Sequence, residues 1–170
     1  DIHDSNKMVI QSTGNVGIGT TSPSAKLEIE TAATSETPLI INAAFSTTMI
    51  PIASFEISGT ERGSIKASVS GTQFNTSSDY RLKENVTAIT DGITRLKTLK
   101  PYRFNFKADA TTTVDGFLAH EVTAVPEAIS GTKDEVDSNN NPVYQGIDQS
   151  KLVPLLVAAV QELIGKVEAL

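Results

Sequence analysis

The sequence predicts a chain in two parts: an all-β segment over residues 1–77, and an α+β domain over 78–170 that ends in a long coiled-coil-like helix. Three observations predict this. Composition changes at Ser78, since the first 77 residues hold 23 Ser or Thr and 11 charged residues whereas the remaining 93 hold 23 charged residues. Ahead of that seam, short apolar runs are separated by Ser/Thr/Gly turns, the pattern of strands. Behind it, apolar residues recur at helical spacing, most regularly in the last eighteen residues.

Taken in order, Met8-Val9-Ile10-Gln11 reads as a strand stopped by Ser12-Thr13-Gly14-Asn15. Val16-Gly17-Ile18-Gly19 alternates large residues with glycine, so a neighbouring backbone can come close at each glycine. Ala25-Lys26-Leu27-Glu28-Ile29-Glu30 alternates apolar with charged, as a half-buried strand does. Further strands are expected at Pro38–Asn42, Met49–Ile57, Gly63–Val69 and Thr72–Phe74, with Pro51 placing its run at an edge or bulge.

From the seam onward, Arg81–Val86 is expected to be extended. Asp91 is positioned to cap a short helix through Leu99 that carries Ile93, Leu96 and Leu99 on one side and stops at Pro101. Tyr102–Phe106 alternates as a strand, Gly116-Phe117-Leu118 leads into a helical turn around Glu121 ended by Pro126, and Asp134–Pro142 is a polar loop. Tyr144–Ile147 is the last strand. The final helix starts near Asp148 or Ser150, with Pro154 tolerated in its first turn. Along it, Val153, Leu156, Val160, Leu163, Val167 and Leu170 are spaced 3, 4, 3, 4, 3, an a/d heptad seam. Such a seam serves either a coiled coil or one amphipathic helix packed on its own domain. β-branched residues at a with Leu at d lean toward two strands.

Bulk properties exclude several function classes. A net charge of −6 argues against nucleic acid or an anionic membrane as the main partner. No apolar run is long enough to span a bilayer, and no signal peptide is expected at Asp1. Without cysteine there is neither a disulfide framework nor a thiolate metal site, and two histidines, His3 and His120, make a zinc site unexpected. No cofactor is called for. The sequence also offers no defensible pair of carboxylates at glycosidase spacing. A lone 77-residue segment so rich in Ser, Thr and Gly cannot easily offset its chain entropy by burial; it either stays disordered or shares a core with other copies.

The seam itself reads Ser78-Asp79-Tyr80-Arg81-Leu82-Lys83-Glu84-Asn85-Val86. A serine hydroxyl attacks a peptide carbonyl only when a base removes its proton. A chymotrypsin-like arrangement would have His120 as its only candidate base. The alternative is a lysine whose burial lowers its pKa from about 10.4 toward neutrality. Lys83 lies five residues from Ser78, so pairing the two requires a turn at Asp79-Tyr80.

The order S-D-x-R-L-K-x-N followed by I or V is met by Ser78, Asp79, Arg81, Leu82, Lys83, Asn85 and Val86. It resembles the signature of the self-cleaving C-terminal intramolecular chaperone domain of phage tail spikes and tail fibres, as on endosialidase tailspikes. Lys100–Phe104, Gly116–Val122 and Leu152–Leu163 extend the resemblance over roughly the last 95 residues, in the family's order. Gly14–Pro23 also resembles a segment common in phage fibre shafts, and reads equally well as a Gly-rich loop between strands. A phosphate-cradling role for it lacks the helix start and lysine that such loops use.

The resemblance implies that 1–77 is the end of an intertwined trimeric β shaft, triple-β-helix-like, and 78–170 a chaperone domain that joins three chains. It implies a Ser78–Lys83 dyad, single-turnover cleavage between Ser77 and Ser78, and release of the chaperone in the host cytoplasm while the shaft stays in the virion. Asp79 and Arg81 either pair to fix the turn or form a solvated ion pair. Asn85 hydrogen-bonds the loop, donates to an oxyanion or completes a turn. His120 stands where the family pattern has Gln, leaving its role open between orienting the scissile carbonyl and moving a proton, and Glu121 is a candidate acceptor for Lys83 or Arg81. A host receptor is expected to contact the rest of the fibre. The rival expectation is a permanent trimeric cap on a receptor-binding fibre or adhesin, with Ser78 inert.

Overall fold

Turn residues at short intervals cut the N-terminal part of the chain into short strands. In the computed structural model, which describes residues 8–44 and 46–170, two compact units are formed, Asp1–Lys83 and Glu84–Leu170. His3 lies outside the described residues.

In the first unit, β1 (Met8–Ile10), β2 (Val16–Ile18) and β3 (Leu27–Ile29) make a three-stranded sheet in which β1–β2 is antiparallel and β2–β3 parallel. The expected close approach at glycine is found at Gly19. Its φ is +79°, and a Cβ there would collide with the Glu30 carbonyl. A second sheet is the meander β4 (Ile50–Ile57), β5 (Thr60–Ser68) and β6 (Gly71–Thr76). Ile57 pairs with Thr60, leaving a two-residue turn of Ser58 and Gly59, both at positive φ, which matches the twist of a hairpin. Pro51 sits on the edge strand beside a register shift, as expected of a residue that has no amide to give.

One expectation for this unit is corrected. Pro38–Asn42 is not a strand but irregular chain, with Leu39, Ile40 and Ile41 exposed, because no described strand offers it a ladder. The remaining strands lie in two small three-stranded sheets within one chain. Local turns such as Ser58-Gly59 let the ladder form within one chain.

The second unit is mixed α/β. Helix α1 covers only Gly92–Leu96, shorter than the stretch to Leu99 expected; beyond it the chain tightens into i→i+3 turns, Leu99 N bonding Leu96 O at 3.1 Å. Asp91 precedes the helix but makes no side-chain cap. Its carboxylate faces Arg95 at 3.8 Å instead. Strand β7 (Tyr102–Phe106) pairs antiparallel with β8 (Asp109–Gly116), a strand whose run of threonines was not read as one. Turns of 3-10 helix follow at Ala119–Glu121 and Pro126–Ala128, so Pro126 begins a turn where it was expected to end one. Its missing amide costs nothing at that position. Strands β9 (Ile129–Ser130) and β10 (Gly146–Ile147) pair antiparallel, and the polar loop between them folds on the Asp137 carboxylate, which accepts from the amides of Asn139 and Asn141 at 2.8 Å each.

Asp148 caps the last element, accepting from Ser150 N at 3.0 Å. A 3-10 turn over Gln149–Leu152 runs into α2 (Val153–Glu168), with Pro154 in its first turn. The core sits here: Val122, Val125, Ala128, Leu152 and Leu155 form one buried cluster, backed by Leu99, Phe117, Ile129 and Ile147. Among the described residues, every buried apolar side chain of the core belongs to this unit and none to the β unit. The face of α2 turned inward is Leu152, Leu155 and Ala159. The heptad seam Val153, Leu156, Val160, Leu163, Val167 and Leu170 lies about a quarter turn round the helix and is exposed, Leu163 by 54%. Within one chain α2 is an amphipathic helix packed on its own domain, with the heptad seam left exposed.

Candidate active site

The segment between β6 and the end of the first unit is built by one carboxylate. Asp79, in extended backbone, starts a 3-10 turn over Tyr80–Leu82, its Oδ1 accepting from Arg81 N at 2.9 Å. Backbone bonds from Leu82 N to Asp79 O and from Lys83 N to Tyr80 O, both 3.1 Å, close the turn. The extended reading of the Arg81 stretch is thus corrected over Arg81-Leu82. An aspartate at the N-cap rewards a turn more than a solitary strand without a partner would. Lys83 leaves the turn extended, at φ −122°.

That geometry folds Lys83 back on Ser78. Nζ of Lys83 donates to Oγ of Ser78 at 2.8 Å, inside the range for proton transfer. The turn at Asp79-Tyr80 that the five-residue spacing requires is therefore present. Both residues are exposed. The amide of Ser77 reaches Arg62 O at 3.4 Å, just past the last residue of β6, so the Ser77–Ser78 peptide bond follows directly on the end of the ladder.

Asp79 is fully engaged. Beyond the Arg81 amide, its Oδ1 accepts from Arg81 Nε at 2.9 Å and its Oδ2 from Arg81 Nη2 at 2.7 Å, a two-pronged pair. The Arg81 guanidinium, and after it the Arg81 amide, hold the Asp79 carboxyl below its usual range. The pair in turn raises the Arg81 guanidinium.

The remaining expected residues lie in the second unit. Asn85 takes φ +52°, the left-handed conformation that asparagine tolerates. Glu121 accepts from the Tyr102 hydroxyl at 2.7 Å and faces Lys100 Nζ at 3.5 Å; these groups, Tyr102 first, lower its carboxyl, and the bond to Glu121 in turn raises the Tyr102 phenol. His120 borders an open cleft of about 510 Å³ with Phe104, Phe106, Phe117 and Ile147. Sequence reasoning did not find the Tyr102–Glu121 contact. The alternation of Tyr102–Phe106 marks a strand but does not show which carboxylate its first residue meets.

Among the described residues, no helix is long and apolar enough to cross a membrane. No curated protein and no solved structure matches the chain. A family model does match: residues 78–130, from Ser78 through the Lys100–Phe104 and Gly116–Val122 blocks, fit the family described as chaperone of endosialidase.

Proposed function

We propose that residues 78–170 are the intramolecular chaperone of a phage tail fibre or tail spike. They bring three chains together, register the β segment, and then leave by serine autoproteolysis between Ser77 and Ser78. The observation that carries the reading is the 2.8 Å contact between Lys83 Nζ and Ser78 Oγ, at the residue where the family match begins.

With the Lys83 amine neutral, the same contact lets the Ser78 hydroxyl donate. Oγ then bonds to the Ser77 carbonyl carbon, its proton passes to Lys83, and the Ser77 C–N bond breaks as that proton moves to the departing Ser78 nitrogen. The resulting ester is opened by water.

Association is supported from two sides. The β unit has no buried apolar core of its own among the described residues, so its exposed Phe55, Ile57 and Phe74 call for cover from other copies. The second unit presents the exposed α2 seam, next to an apolar groove of about 460 Å³ lined by Leu96, Leu99, Pro101, Phe117 and Leu156. Tethering three β segments to an assembled end raises their local concentration to roughly millimolar and fixes their register. Removing that end afterwards means that unfolding cannot retrace folding, which leaves a kinetically stable product. The β segment then belongs to the virion, where the rest of the fibre meets a host receptor, and the chaperone is left in the host cytoplasm.

A permanent, non-cleaving trimeric cap on a fibre or adhesin is the second reading. It is favoured by the exposure of Ser78 and Lys83, since a lysine base needs cover from water. Denaturing electrophoresis of the purified chain beside Ser78→Ala and Lys83→Ala decides between them. Two fragments in the wild type alone support cleavage; one band in all three supports the cap. Sedimentation tests the common premise, and a well-folded monomer overturns both readings.

A further inference from the structure

We propose that Arg81 is a positioning residue for the Ser78–Lys83 pair: its guanidinium occupies the Asp79 carboxylate and so keeps that carboxylate from capturing Lys83. The inference rests on the cleavage reading above.

Asp79 is the acid nearest the pair in sequence, and the turn needs it. Its Oδ1 holds the Arg81 amide at 2.9 Å and so caps the turn that brings Lys83 back to Ser78. A carboxylate within reach of a lysine is nevertheless a hazard to base catalysis. An ammonium bound to it keeps its proton and turns away from the serine. The two-pronged bond from Arg81 Nε and Nη2 resolves the conflict by covering both carboxylate oxygens. Lys83 is left with Ser78 Oγ as its hydrogen-bond partner, and among the described residues no carboxylate stands within ion-pair distance of it.

The neighbouring charges agree. The pull of Lys83 on the Asp79 carboxyl is the last of the causes lowering it, behind both contributions from Arg81, so the two groups sense each other through space without being paired. Glu84 follows Lys83 in sequence, and β5, whose Arg62 carbonyl meets Ser77, carries Glu61 and Arg62. Glu61 is engaged by the Ser54 and Ser64 hydroxyls. Arg62 offers its backbone carbonyl to Ser77.

Removing the guanidinium alone should therefore hand Lys83 to Asp79. Removing the carboxylate charge as well should free it again, because the amide oxygen of an asparagine still accepts from residue 81 and keeps the turn. In the full chain, Arg81→Ala should shift the pH profile of cleavage upward by about one unit, which is roughly tenfold slower cleavage at neutral pH. Asp79→Asn combined with Arg81→Ala should restore the wild-type profile, and Arg81→Lys should fall between.

A readout independent of cleavage uses the Ser78→Ala chain, which stays whole. The Lys83 side-chain methylene resonance, assigned through Lys83→Arg, should titrate about one pH unit higher when Arg81→Ala is added, and return when Asp79→Asn is added too. An unmoved titration, or cleavage slowed equally at every pH and not rescued by Asp79→Asn, overturns the inference. A wild-type chain that never cleaves defeats the reading of the site, while the titration still decides the role of Arg81.

Discussion

Gly92, the first residue of α1, lies directly against the backbone of Ala159 in the middle of α2: a Cβ on Gly92 would come within 2.5 Å of the Ala159 nitrogen and 2.7 Å of the Ala158 carbonyl carbon. Neither atom can swing aside. The two helices are also tied by Glu162, whose Oε2 accepts from Ile93 N at 3.0 Å, standing in for the side-chain cap that Asp91 does not provide. Helix propensity alone would have Gly92→Ala stabilise the chain by up to about 1 kcal/mol. The close approach reverses the sign, and a loss of about 1–3 kcal/mol is expected in a urea titration of the full chain.

The two faces of α2 should respond differently to truncation. Leu155 is 1% exposed inside the core of its own unit, so Leu155→Ala should cost about 2–5 kcal/mol of folding stability. Leu163 is on the exposed seam, and Leu163→Ala should change the melting of the dissociated chain little while weakening association. Sedimentation over a concentration series reads the second effect, and thermal unfolding reads the first. A Leu163→Ala chain that associates as the wild type does would remove the seam from the interface.

How much of this was legible in the sequence depends on how local its cause is. The short strands Met49–Ile57, Gly63–Val69 and Thr72–Phe74 were, since apolar runs between Ser/Thr/Gly turns state their own breaks. The Ser78–Lys83 pairing came from the resemblance; the five-residue spacing stated only that it would require a turn, and Asp79 supplies the cap of that turn. The heptad seam was visible, but not that Leu152, Leu155 and Ala159 would be the face buried within the chain. Both sets repeat at 3 and 4, and the choice is made by distant residues: Val122, Val125 and Ala128 pack on Leu152 and Leu155, and Gly92 of α1 lies against Ala159. Strand β8 was missed because Asp109-Ala110-Thr111-Thr112-Thr113 carries no apolar alternation. Its pairing comes from β7, and its turn from Asp109, whose Oδ1 takes the Thr111 amide and hydroxyl.

Lys83→Arg separates the positive charge of Lys83 from its chemistry. An arginine keeps a donor near Ser78 Oγ but holds its proton at any pH where the chain is folded. Cleavage should therefore fall to the level of Lys83→Ala, with the thermal melt unchanged because the residue is exposed. A Lys83→Arg chain that still cleaves would rule out lysine as the base.

Acid should loosen the second unit before neutral or mildly alkaline pH does. Hydrogen bonds from Ile93 N to Glu162, from Ser150 to Asp148 and from Asn141 to Asp137 lower each of these carboxyls, and the Thr112 and Thr111 groups hold Asp109 down to about 2. In each case the folded chain binds its proton less readily than the unfolded chain, so at intermediate pH the unfolded state carries more protons and stability rises with pH. The contribution is complete above the ordinary carboxylate range. It is lost as pH falls through the lowered values, the Asp109 share last, near pH 2. Urea midpoints measured from pH 7 downward should decline through that window. Glu162→Gln, whose amide oxygen can still accept from Ile93 N, should flatten the decline while leaving the chain folded at neutral pH. A midpoint that stays level from pH 6 to pH 3 would mean that these carboxylates, Glu162 between α1 and α2 among them, do not contribute to stability.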